Sequence, residues 1–76
     1  MTVDELQDFF SKVKLEGPIQ LGPGEQIVNP DIFLEGHFNV VKNYGTDSQM
    51  SVPFIARLTK VYNLIKAGQV SVIYLE

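Results

Sequence analysis

Asn29-Pro30-Asp31-Ile32-Phe33-Leu34-Glu35-Gly36-His37-Phe38-Asn39-Val40-Val41 is the stretch on which the fold turns. Asn29 can accept a hydrogen bond from a first-turn N–H, and Pro30 suits the first helical position, where no N–H partner is needed. A helix is therefore expected from Pro30. At about 100° per residue, Phe33, Leu34, His37, Phe38, Val40, Val41 and Tyr44 share one broad side, with Asp31, Glu35, Asn39 and Lys42 opposite. That side is wide enough to meet two neighbours. His37, the chain's single histidine, lies near its middle. Ile32 is the one apolar residue among the polar positions. Gly36 costs roughly 1 kcal/mol relative to alanine inside a helix, so the close approach of another backbone is expected there.

Upstream, Thr2-Val3-Asp4-Glu5 has the spacing of a capping box, and Val3, Leu6, Phe9, Phe10 and Val13 recur at helical intervals. The first helix is expected over about 3–15, before Gly17-Pro18. Residues 18–28 read as two short extended pieces around Gly22-Pro23-Gly24-Glu25, where Pro23 and Gly24 suit a type II turn. Such a turn does not favour a tight two-residue hairpin, so an irregular hairpin or β-like loop is expected. The two glycines lack the lysine and the spacing of a phosphate-cradling loop.

Downstream, Gly45 marks a helix stop and Asn43 to Gln49 a polar connection. Ser51-Val52-Pro53 opens a third helix over about 53–67, with Phe54, Ile55, Leu58, Val61, Tyr62 and Ile65 as a continuous stripe. Arg57, Lys60 and Asn63 fall on its other side, with Leu64 beside Arg57. Gly68 suits the C-terminal stop. Val70 to Leu75 has strong β composition with apolar residues on both faces, and is expected to pair with Ile19–Leu21 or Ile27–Val28, or with another chain. Leu75-Glu76 is the dipeptide that a C-terminal affinity-tag junction leaves, which would make it non-native.

Seventy-six residues with 45% hydrophobic and 20% charged content describe one small folded domain of modest stability. With no cysteine, neither disulfides nor thiolate metal sites can supplement its core. A net charge of −3 argues against a general nucleic-acid or anionic-membrane binder. The N-terminus has neither a basic nor an apolar leader region, and no apolar run is long enough to span a bilayer, so a soluble cytoplasmic protein is expected.

The chain resembles a family of short uncharacterised bacterial proteins, a domain of unknown function. The resemblance lies in Glu5-Leu6-Gln7-Asp8-Phe9-Phe10, Pro18-Ile19-Gln20-Leu21, Pro23-Gly24, Pro30 through Phe38, and Pro53-Phe54 with Arg57-Leu58. It covers residues 2 to 66 and implies a helix, a P-x-x-L-x-x-G segment, a second helix carrying a histidine and a third carrying an arginine. It brings no activity with it. Val70 to Tyr74 extends past the family's usual end.

The expected fold is mainly α, a three-helix small domain with a short β-like segment between the first two helices and a C-terminal strand over 70–75. A catalytic reading would centre on His37, but Glu35 projects from the opposite side of the helix and no second histidine or nucleophile motif accompanies it. A buried His37 tying its helix to residues 18–28 or to a helix end is the structural alternative. No cofactor or metal is expected. The leading functional expectation is a non-enzymatic interaction or accessory module contacting an unidentified protein partner, or a second copy through the C-terminal strand. Its candidate contacts are Ile32, Arg57, Lys60, Leu64, Val70, Val72 and Tyr74. The alternatives are nucleic-acid binding through Arg57, Lys60 and Lys66, and a small-ligand site at His37.

Overall fold

The structure, a computed structural model, describes residues 2–75; Glu76 of the expected tag junction lies outside them. In order, the chain forms α1 (Val3–Ser11), β1 (Val13–Leu15), β2 (Ile19–Gly22), β3 (Glu25–Ile27), α2 (Pro30–Tyr44), a single 3₁₀ turn (Gln49–Ser51), α3 (Val52–Lys66) and β4 (Val72–Tyr74). Three α-helices with short strands between the first two and a strand after the third give the mainly helical architecture that the sequence implies.

α1 starts on the capping box: Thr2 Oγ1 accepts from the Glu5 N–H at 3.2 Å and the Glu5 carboxylate accepts from the Thr2 N–H at 3.1 Å. The bonds that this carboxylate accepts from the Thr2 N–H and the Thr2 hydroxyl hold the Glu5 carboxyl below its usual pKa. The helix ends at Ser11, not near residue 15. From Lys12 to Glu16 polar and apolar residues alternate strictly, and a period of two suits a strand with Val13 and Leu15 inward. β1 is the result.

β2 and β3 form an antiparallel hairpin with a register irregularity between Gln20 and Gly22. Gly24, at φ +77°, takes the left-handed turn position beside Pro23. The C-terminal strand does not join this hairpin. β4 pairs antiparallel with β1, Val13 opposite Tyr74 and Leu15 opposite Val72, and the Leu75 N–H closes the ribbon on the Lys12 carbonyl at 2.7 Å. The alternation at 12–16 creates a partner strand that a longer first helix would have removed.

α2 is capped by Asn29, whose side chain accepts from the Ile32 N–H at 3.3 Å. It stops at Gly45, and the Ser51 hydroxyl, wholly buried, donates to the Gly45 carbonyl at 2.7 Å. Ser51 thus ties the end of α2 to the start of α3 instead of capping α3 with its side chain. At the other end of α3 the Gly68 and Gln69 N–H groups donate to the Ile65 and Leu64 carbonyls at 3.1 and 2.9 Å, the paired bonds of a Schellman ending.

The core gathers around α3. Leu58, Val61 and Ile65 meet Leu6 and Phe10 of α1, Val13 and Leu15 of β1, and Ile19 and Ile27 of the hairpin. α2 buries fully only Pro30 and Val41, while Phe33, Leu34, His37, Phe38 and Val40 are half-buried and Tyr44 stands exposed. Its broad apolar side is therefore only partly covered. Gly36 faces outward with no atom within 4 Å of where a Cβ would stand, so no backbone approaches it. Among the described residues, no helix is long and apolar enough to cross a membrane.

Candidate functional site

The uncovered part of α2 opens into a groove of about 510 Å³ between the β2–β3 hairpin and the helices. The run from Gly24 to Asn29 forms one wall. Ile32, Phe33 and His37 of α2 face it, and Arg57 of α3 closes one side. On the rim Val28 is 76% exposed and Ile32 68% exposed, although both are apolar.

His37 sits among aromatic rings. Its ring centroid is 3.9 Å from that of Phe33 and 5.1 Å from that of Phe54. Nδ1 lies 2.8 Å from the Phe33 carbonyl oxygen, one turn back on the same helix. The histidine does not tie α2 to residues 18–28 or to a helix end as expected, because a side chain four residues after a carbonyl reaches that carbonyl first. The bond also fixes the tautomer. A carbonyl only accepts, so Nδ1 carries the hydrogen and Nε2 presents a lone pair. Nε2 is closed to solvent and has no hydrogen-bond partner.

Burial pushes the His37 pKa below its ordinary value; the bond to the Phe33 carbonyl opposes this and the Arg57 charge adds to it. The imidazole is therefore neutral at about pH 7. Arg57 lies with its guanidinium carbon 5.3 Å from the centre of the Phe54 ring. The groove thus combines an apolar rim with one guanidinium donor, while the unpaired Nε2 acceptor of His37 is closed to solvent. Among the described residues no group of three or more His, Cys, Asp or Glu is placed to hold a metal ion.

Of the residues singled out in the sequence, Ile32, His37 and Arg57 come together here. Lys60 stands beside the groove, reaching over Gly22 with Glu25 alongside. Leu64 is half-buried, not exposed as its position on the wheel implied, and Val70 and Val72 pack against the core while Tyr74 remains exposed. Lys66 rests over the Phe9 and Tyr62 rings at 5.3 and 5.6 Å. Nine positions after Arg57, it is about 180° away around α3, so the three cations do not share a face. Leu21, Val28 and β3 enter the sequence reading as pairing partners for the C-terminal strand, not as candidate contacts. Val28 immediately precedes the Asn29 cap, where an apolar residue ordinarily folds back onto the first turn of the helix, here Phe33.

The family model Domain of unknown function (DUF6965) matches residues 1–67. The chain belongs to DUF6965. All the groove residues lie within the DUF6965 match, whereas β4 lies beyond it. No curated protein and no solved structure matches the chain.

Proposed function

We propose that this DUF6965 protein is a non-enzymatic interaction module that docks a protein partner in the groove between the hairpin and α2. The observation that carries this reading is the pair Val28 and Ile32, two branched apolar side chains left in solvent on the rim of a concave surface. Scattered exposed apolar residues are ordinary, but two on the rim of one groove are the composition of a docking site. The Arg57 guanidinium at the side of the groove provides a directional contact for specificity.

The test is selection of displayed random dodecapeptides on the immobilised protein, run in parallel on Val28→Glu and Ile32→Glu variants. Both side chains are exposed, so the variants keep the fold. Convergence on related sequences that neither variant retains supports the reading. Failure to converge, or convergence indifferent to both substitutions, overturns it.

A further inference from the structure

Taking the groove as a protein-docking site, the charges along it narrow the chemistry of the partner. Glu25 and Arg57 line it, and Lys60 comes in beside Glu25: Lys60 Nζ and Glu25 Oε1 both lie within 4 Å of the point that a Cβ on Gly22 would occupy. Those opposite charges stand within a Debye length of about 10 Å and offset one another. Arg57 is left over. It is exposed, makes no ion pair among the described residues, and rests with its guanidinium carbon 5.3 Å from the centre of the Phe54 ring.

The other acidic residues of α1 and α2, among them Asp4, Asp8, Asp31 and Glu35, contribute to the net charge of −3 but do not line the groove. The groove is an electropositive spot on an acidic protein, so a partner gains by bringing negative charge to it. One unpaired guanidinium calls for one such charge, and its planar donor fork fits the two oxygens of a carboxylate. A phosphate would carry a second charge into a groove that already holds Glu25. An ammonium would be repelled by Arg57, and a wholly apolar segment would cover its donors without pairing them. Elsewhere Leu21, Phe33, Val28 and Ile32 offer apolar contact.

We propose that the groove docks a partner segment in which an aspartate or glutamate side chain pairs with Arg57 while apolar residues flanking it cover Val28 and Ile32.

The test uses three displayed dodecapeptide libraries built from leucine, valine, phenylalanine and serine, supplemented with glutamate, glutamine or lysine. The best binder from each is synthesised with both ends capped and titrated into ¹⁵N-labelled wild type and Arg57→Gln, whose fold is kept because the side chain is exposed. At low salt the glutamate peptide is expected to bind wild type about fivefold tighter than its own glutamine-substituted form, the scale of an exposed charge pair. It should shift the Arg57 side-chain Nε resonance. The preference should vanish in Arg57→Gln, where the peptide still perturbs Val28 and Ile32, and fade at about 1 M salt, where the Debye length is about 3 Å. Equal binding of the two forms, or a preference that survives Arg57→Gln, overturns the carboxylate assignment and leaves the docking reading standing. Tighter binding of a phosphoserine form overturns the choice of a single charge, and full replacement of the glutamate by an uncapped C-terminus overturns the side-chain source. If no peptide perturbs Val28 and Ile32, the inference falls together with the docking reading.

Discussion

Replacing His37 with phenylalanine is expected to stabilise the protein, although the substitution removes a hydrogen bond. The bond lost, from Nδ1 to the Phe33 carbonyl, contributes about 1 kcal/mol, and that carbonyl keeps its backbone partner in α2. Against this, the buried Nε2 without a partner costs about 1–3 kcal/mol. A phenyl ring placed between Phe33 and Phe54 carries no such penalty. The net gain is about 1 kcal/mol, or about 4–8 °C in Tm for a domain of this size. The gain should also depend on pH. His37 titrates lower in the folded state than in the unfolded chain. Above about pH 6.5 both states are neutral there; as pH falls, the unfolded chain takes up a proton first and wild-type stability declines until the folded pKa is passed. The variant has no such group, so its advantage should widen between about pH 7 and pH 5. Urea unfolding followed by circular dichroism at several pH values measures this. A variant less stable than wild type near neutrality, or an advantage that stays constant with pH, would refute the reasoning.

Gly45→Ala should destabilise by about 1–3 kcal/mol, since φ 93° and ψ 149° lie in a region essentially restricted to glycine; the urea midpoint reads it directly. Leu58→Ala, at a wholly buried position in the centre of α3, should cost about 2–5 kcal/mol, a large share of what so small a domain holds, and thermal melting should show it partly unfolded at moderate temperature. Ending the chain at Gly68 should lower stability by about 2–4 kcal/mol through exposure of Val13 and Leu15 and loss of Val70 and Val72. Solution mass measured on both lengths should remain that of a monomer, and a dimer that dissociates on truncation would assign β4 to an interface instead.

Local rules carry much of this fold. The Thr2–Glu5 box, the Asn29-Pro30 start, the Pro23-Gly24 turn and the stops at Gly45 and Gly68 are each fixed by a few neighbouring residues, and each appears where its chemistry places it. The end of α1 was harder because Val13 fits both a helical stripe and an alternating strand; Leu15 and its pairing with Val72 decide between them. Partner choice for β4 is a tertiary matter with no local signature. The same limit applies to the site. A helical wheel places His37 and Ile32 on α2 but cannot show that the hairpin stands off from them, leaving Val28 and Ile32 uncovered. Nor does spacing reveal that Nδ1 finds its carbonyl one turn back and leaves Nε2 without a partner.

The ribbon of β1 and β4 has a consequence for the order in which the molecule assembles. The hairpin, α2 and α3 are joined by short connections and can form contacts as soon as residues 19–66 are synthesised. β1 precedes all of them yet waits for β4, which follows all of them, so its edge stays unpaired until Val72 to Tyr74 emerge. Closing that long loop is entropically the most expensive step and returns only three residue pairs. The ribbon therefore forms last and opens first, and its amides should exchange with solvent well before those of α3, where Leu58, Val61 and Ile65 hold the core.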